Sequence, residues 1–214
     1  YAAAEKSFRE AITLQEARAR NAQDVDPESE AALAKALYGL GTVLAQQGRY
    51  EDAERSLRNA LEKQQQLFRA PHGDIARSMQ ILAKVLDENG RLNEAIPLMK
   101  ESLTMQRRLR GRQPHPDLAE AINDLGLLQQ ENGAYEVSER LYLEAIAMKR
   151  RLLGEHHPEV ATGLNNLALV LHDKGDLVQA EGVYRQALAM QRELLGNGHP
   201  DVGNTLNNLA FVQY

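Results

Sequence analysis

Cysteine is absent from the 214 residues, and so is tryptophan. Without thiols there is no disulfide framework and no thiolate metal site, which suits a reducing cytoplasm. Aromatic residues make up only 5% of the chain, so the core must come from aliphatic side chains, as in a thin stack of helices. No apolar run approaches the roughly 18 residues of a membrane span, and no signal-peptide pattern opens the sequence. Positive charge is not in excess either: 25 Lys and Arg stand against 30 Asp and Glu, a net charge of −5. That excludes a polycationic surface for nucleic acid or anionic membrane. Gly39-Leu40-Gly41 is not a phosphate loop, because no GxxxxGK[ST] is present. No Ser-His-Asp set or carboxylate pair stands out, since Asp and Glu fall at repeat-equivalent exposed sites. The reading is therefore non-enzymatic, with no cofactor.

What the sequence does have is repetition. HPEVATGLNNLALVLHDKGDLVQA at 157–180 has counterparts beginning at Leu33, Ile75, Leu118 and Val202. Gly48, Gly90, Gly133 and Gly175 are spaced 42, 43 and 42 apart, and the His-Pro pairs at His115, His157 and His199 are 42 apart. A period of this length marks supersecondary units stacked into an array.

Each unit reads as helix A, a tight turn and helix B. Helix A repeats an apolar pattern with a small residue in it: Leu37, Leu40, Gly41, Leu44; Met79, Leu82, Ala83, Leu86; Ile122, Leu125, Gly126; Leu164, Leu167, Ala168, Leu171; Leu206, Leu209, Ala210. The small residue lets helix B approach, and the glycine after helix A ends it as a left-handed cap. Helix B carries small residues at Ala53, Ala95, Ser138, Ala180 and at Ala60, Ser102, Ala145, Ala187, with Leu57, Met99, Tyr142 or Tyr184 between them. His-Pro-Asp/Glu then caps the next helix A.

One array over 1–214 follows, with units at 26–69, 70–112, 113–154 and 155–196. A lone helix B at 1–25 precedes them and a lone helix A at 197–214 follows. In the first, Ala4, Phe8, Ala11 and Ile12 form the amphipathic stripe. The chain opens on Tyr1 inside a repeat, so it is expected to belong to something longer. Asp26-Pro27-Glu28 reads as a helix start about one turn early, after a long polar connection at 22–29. Pro97, inside a helix B pattern, predicts a late start or a kink. Pro71-His72-Gly73-Asp74, which replaces the usual corner, predicts a corner of different shape.

The small-large-small spacing on paired helices resembles the tetratricopeptide repeat family. The 42-residue period, LNNLA at 164–168, Ala180-Glu181…Tyr184…Ala187-Leu188 and the LGxxHP corner are similar to its kinesin-light-chain-like subtype, which is also widespread in bacterial multidomain proteins. The resemblance implies an all-α, right-handed superhelical solenoid of antiparallel helix pairs whose concave wall is lined by helix A. It also implies that groove asparagines and basic residues bind peptide segments of partner proteins.

A helical wheel says which residues line that wall. They are Lys35, Tyr38 and Thr42; Arg77, Gln80 and Lys84; Glu120, Asn123, Asp124, Leu127 and Gln130; Thr162, Asn165, Asn166, Leu169 and His172; Asn204, Asn207 and Asn208. An Asn amide both donates and accepts, so it can pair with an extended peptide backbone whatever its side chains. Neighbouring A helices lie roughly 8–10 Å apart, about three residues of extended peptide. Lys35, Arg77 and Lys84 add positive charge, which suits an acidic segment or a C-terminal carboxylate. The peptide-binding candidates are thus Lys35, Tyr38, Arg77, Gln80, Lys84, Asn123, Asn165, Asn166, Asn207 and Asn208. The other reading of the asparagines is that they link adjacent helices or solvate an exposed face.

His115, His157 and His199 lie one repeat apart, roughly 10 Å, too far to share a metal ion at ~2.1 Å bonds; no metal site is expected. Arg107, Arg108, Arg110 and Arg112, with Lys149, Arg150 and Arg151, complement the negative ends of B helices, or else form a basic edge for an acidic partner. The reading is a cytoplasmic protein-interaction scaffold. The alternatives are a spacer that associates end to end through its uncapped terminal helices, and a regulatory repeat domain of a larger multidomain protein.

Overall fold

The computed structural model describes residues 1–21, 26–69, 71–111 and 113–213. Ten helices account for its regular structure: α1 (Ala2–Asn21), α2 (Pro27–Gln46), α3 (Tyr50–Leu67), α4 (Gly73–Glu88), α5 (Leu92–Arg110), α6 (Pro116–Glu131), α7 (Tyr135–Leu153), α8 (Pro158–Asp173), α9 (Leu177–Leu195) and α10 (Pro200–Val212). Even-numbered helices are the A helices, odd-numbered ones the B helices. The chain divides into two compact units, Tyr1–Leu109 and Arg110–Tyr214. In the first, α2 packs on α1 and α3, and α3 on α4; in the second, α7 packs on α6 and α8, and α9 on α8 and α10.

The A helices begin and end by one recurring chemistry. Asp26 caps α2, its carboxylate accepting from the backbone N–H groups of Glu28 and Ser29. For α4, α6, α8 and α10 the cap is a histidine. Nδ1 of His72, His115, His157 and His199 accepts from the backbone N–H two residues on, at 3.2 Å in every case. Each imidazole therefore carries its proton on Nε2. At the other end, Gly48, Gly90, Gly133 and Gly175 have φ between +73° and +88°. The residue after each donates back to a carbonyl five positions earlier, as Arg49 does to Leu44 at 3.0 Å and Asp176 to Leu171 at 2.9 Å. This Schellman geometry satisfies the last orphan carbonyls. Replacing a capping histidine, as in His157→Ala, is expected to destabilise the fold by about 1 kcal/mol, readable as a shift in the urea midpoint.

Helix α2 has 20 residues against 16 for α4, α6 and α8, one turn more, as Asp26-Pro27 implied; residues 22–25 lie outside the described ones. The late start expected from Pro97 does not occur: α5 begins at Leu92 and Pro97 is an exposed residue in its second turn. The corner at Pro71 keeps the standard cap, with His72 at φ −135°, ψ 144° beside His157 at −144°, 145°. What differs is a partner ring: Phe68 stacks on His72 at 3.7 Å.

Small residues set how closely A and B helices pack. A Cβ on Gly41 would lie 2.6 Å from Leu57 Cγ, and one on Gly126 would lie 3.0 Å from the Tyr142 ring. Ala83 with Met99 and Ala168 with Tyr184 fill the same positions, all fully buried. The two serines in the helix B pattern are buried but satisfied: Ser102 Oγ donates to the Ala76 carbonyl at 2.6 Å and Ser138 Oγ to that of Gly126 at 2.7 Å. In α10 the pattern is open instead. Leu209 is buried, but Leu206 is 39% exposed, and Ala210 is exposed too.

Candidate functional site

In the first unit, α2 and α4 touch directly, and their outward faces carry the basic candidates. Lys35, Tyr38 and Arg77 converge on one cavity of about 470 Å³. Ala31, Ala34, Leu67 and Phe68 supply its apolar walls, and Asp74 sits on the rim 3.4 Å from Arg77. Gln64, at the end of α3, also lines it. That residue is only 5% exposed, and its Oε1 has no hydrogen-bond partner among the described residues. A buried amide oxygen without a donor is unfavourable by about 1–3 kcal/mol.

Lys84 lines a second hollow of about 350 Å³ with Thr42, Ile81, Tyr50 and Glu88. There Tyr50 donates to Glu88 at 3.2 Å, and the negative charge on Glu88 raises the phenol's pKa. Gln80 is misplaced by the wheel: it is 4% exposed, and its Oε1 accepts from Gln106 Nε2 of α5 at 3.2 Å. The amide of the helix B residue draws it inward, off the open face.

In the second unit the asparagines form rungs between successive A helices. Asn166 Nδ2 of α8 donates to Asn123 Oδ1 of α6 at 3.2 Å. Asn165 Oδ1 accepts from Asn208 Nδ2 at 3.4 Å and from Thr205 Oγ1 at 3.1 Å, both on α10. Each rung uses half of each amide, leaving Nδ2 of Asn123 and Asn165 and Oδ1 of Asn166 and Asn208 for other partners. Asn207 is fully outward and exposed. Beside the rungs, Leu127 is 42% and Phe211 74% exposed, with half-buried Leu169 at the equivalent position between them. Under this face Tyr142 donates to Gln130 at 3.1 Å, and Gln130 donates to Asp173 at 2.6 Å. Burial raises the Tyr142 phenol above its ordinary range.

Other charged candidates have structural partners. Arg110 pairs with Asp117 at 2.7 Å, Lys149 with Glu159 at 3.3 Å and Arg150 with Glu155 at 3.0 Å. Arg112 lies outside the described residues. Among the described residues no cluster of His, Asp and Glu is arranged to hold a metal, and no helix is long and apolar enough to cross a membrane.

Sequence reasoning missed a set of carboxylate clasps. The glutamate after the first small residue of helix B reaches the next A–B turn. Glu5 accepts from Gln47 at 3.0 Å and Arg49 at 2.8 Å, Glu54 from Arg91 at 2.7 Å, Glu139 from Lys174 at 2.9 Å and Glu181 from Gln213 at 2.7 Å. The Gln47 amide and the Arg49 guanidinium hold the Glu5 carboxyl below its usual range. Its contribution is therefore present at neutral pH and is lost as pH falls through that lowered value. The signal was in the sequence, as Ala4-Glu5, Ala53-Glu54, Ser138-Glu139 and Ala180-Glu181, with Ile96 breaking the series.

Comparison with known proteins converges on this architecture. The sequence matches the tetratricopeptide repeat over residues 32–108, 117–193 and 159–214. The chain belongs to the tetratricopeptide repeat family. Solved tetratricopeptide-type structures superpose on it. BtubC (BKLC) from P. vanneervenii has a TM-score of 0.79 at 25% identity, covering 98% of this chain and 81% of that one. A putative kinesin light chain from Podosopora anserina, with nearly identical TPR-like repeats, has a TM-score of 0.74 at 23% identity and covers 86% of each chain. A substituted form of that Podosopora anserina protein has a TM-score of 0.75 at 22% identity, covering 86% of this chain and 85% of that one. No curated protein matches the chain by sequence. Tetratricopeptide repeats mediate protein–protein interaction.

Proposed function

We propose that this chain is an interaction scaffold that binds an extended acidic segment of a partner protein on the A-helix face of its first unit. The observation that supports this reading is the cavity where Lys35 and Arg77 flank the unsatisfied Gln64 amide. An anionic group meets the two cations, a backbone or side-chain N–H meets Gln64 Oε1, and an apolar side chain fills the space against Leu67 and Phe68. The second unit contributes less charge. Its half-committed amides suit peptide backbone, and Leu127 and Leu169 suit apolar side chains.

Panning a random peptide library against the chain tests this. An acidic motif should be enriched, and Lys35→Ala/Arg77→Ala should weaken it about tenfold while flattening its salt dependence. Asn207→Ala tests the second unit in the same way. Enrichment that ignores both variants would remove the A-helix faces as the site.

A second reading has its own observation. The exposed Leu206 and Ala210 of α10 repeat positions that other A helices bury against a B helix, and Ala4, Phe8 and Ala11 of α1 repeat the B-helix pattern. A second copy could complete that pair head to tail, a heterologous contact. Light scattering that shows a strict monomer at every concentration would remove it.

A further inference from the structure

We propose that Asn197, in the corner joining α9 to α10, is a site of spontaneous covalent modification, converting to aspartate and isoaspartate through a cyclic imide. Three Asn-Gly pairs occur in the chain, Asn89-Gly90, Asn132-Gly133 and Asn197-Gly198, and all three asparagines are exposed. By sequence they are equally reactive, because glycine leaves the following nitrogen unshielded. The fold separates them.

In the first two pairs the attacking nitrogen is occupied. Gly90 N–H donates to the Asp87 carbonyl at 2.7 Å and Gly133 N–H to that of Gln130 at 2.9 Å. Both glycines are locked at φ +74° and +73° within Schellman caps. Reaction there requires the end of the A helix to open first. Gly198 is different. It lies outside any helix and is not in the left-handed region. Its N–H makes no backbone hydrogen bond to another described residue, and a Cβ placed on it would meet nothing within 4 Å.

The chemistry needs only water. The Gly198 nitrogen, its proton lost to solvent, attacks Cγ of Asn197. The new N–Cγ bond forms as the Cγ–Nδ2 bond breaks, and Nδ2 leaves as ammonia. Water then opens the five-membered imide at either carbonyl. One opening restores the main chain with an aspartate; the other routes the main chain through the side chain as isoaspartate. Nothing is oxidised or reduced.

The two products have different consequences, because the preceding corner already shows one of them. There the Glu155 carboxylate lies 3.0 Å from Arg150 Nε as an ion pair, in a frame where Gly154 N–H bonds the Arg150 carbonyl at 3.0 Å. Arg192 and Gly196 repeat that frame at 3.1 Å, and Asn197 stands at the position of Glu155. Aspartate therefore gains an ion-pair partner in Arg192. Isoaspartate instead adds a methylene to the main chain two residues before His199, whose imidazole caps α10.

The test is to incubate the purified chain at neutral pH and physiological temperature. Each Asn-Gly peptide is then followed by mass spectrometry, with isoaspartate quantified by isoaspartyl methyltransferase labelling. Asn197 should convert at least about tenfold faster than Asn89 and Asn132, and Gly198→Ala should abolish that lead. In denaturant the three rates should converge. Equal rates in the folded chain, or a lead for Asn197 that persists in denaturant, would overturn the proposal.

Discussion

Leu167→Ala is expected to lower the unfolding free energy by about 2–5 kcal/mol. Leu167 is 6% exposed and belongs to a cluster with Tyr142, Leu164, Ala168, Leu171 and Tyr184. Removing its isobutyl group opens a void among side chains held by three helices, which leaves them little room to relax. Leu206→Ala provides the control. Leu206 repeats the pattern position of Leu164 one repeat later, but it is 39% exposed, so its truncation should cost less than about 0.5 kcal/mol. With no tryptophan in the chain, far-UV circular dichroism in urea is the appropriate readout. A loss below about 0.5 kcal/mol for Leu167→Ala would show that the interior face of α8 has been assigned in the wrong register.

That register was legible because the period removes the ambiguity of any single helix. One amphipathic stripe tolerates a shift of a residue; five copies in phase do not. The glycine caps were legible for a related reason, since only glycine recurs at 48, 90, 133 and 175 and each terminates an apolar stripe. The histidine caps were legible as helix starts, though not in the atom that does the capping. Histidine is not among the usual side chains at this position, and nothing in His-Pro-Asp says that Nδ1 will accept from the backbone. His72 shows the point: the proline after it is missing, yet the same hydrogen bond forms. Pro97 was read as a late start or a kink, and the late start does not occur. The local rule is sound, but α5 retains its start because the buried face through Ala95, Ile96 and Met99 outweighs one missing backbone bond.

The candidate site was legible where it depends on one helix and illegible where it depends on two. Lys35 and Tyr38 share a face of α2 by simple rotation, and the fold does bring Arg77 to them. Gln64, Leu67 and Phe68 come from the far end of a B helix, and no single-helix wheel could place them in the same cavity. The burial of Gln80 has the same origin. Its surroundings are set by Gln106 of α5, and Gln64, Gln106 and Gln191 recur at one position of helix B with Lys149 between them. That recurrence was the available signal. The asparagines were offered two roles, link or ligand contact. The geometry shows that linking uses only half of each amide.

Asn165→Ala follows from that geometry, with an expected loss of about 1–3 kcal/mol. Asn165 Oδ1 is the common acceptor for Thr205 Oγ1 and Asn208 Nδ2. Thr205 is 1% exposed, so its hydroxyl would keep its desolvation and lose its acceptor. Asn165→Asp separates the rung from the rest of the amide: it retains the acceptor and should recover most of the stability, while removing the Nδ2 donor that faces outward. Asn207→Ala, at an exposed side chain, should change stability by less than about 0.5 kcal/mol. Urea unfolding of the three variants, beside their affinity for a selected peptide, divides the two roles. Weaker binding in Asn165→Asp with stability intact would make the free half of the amide a ligand contact. If Asn165→Ala leaves stability unchanged, the rungs do not link the helices, and the whole amide is available to a partner.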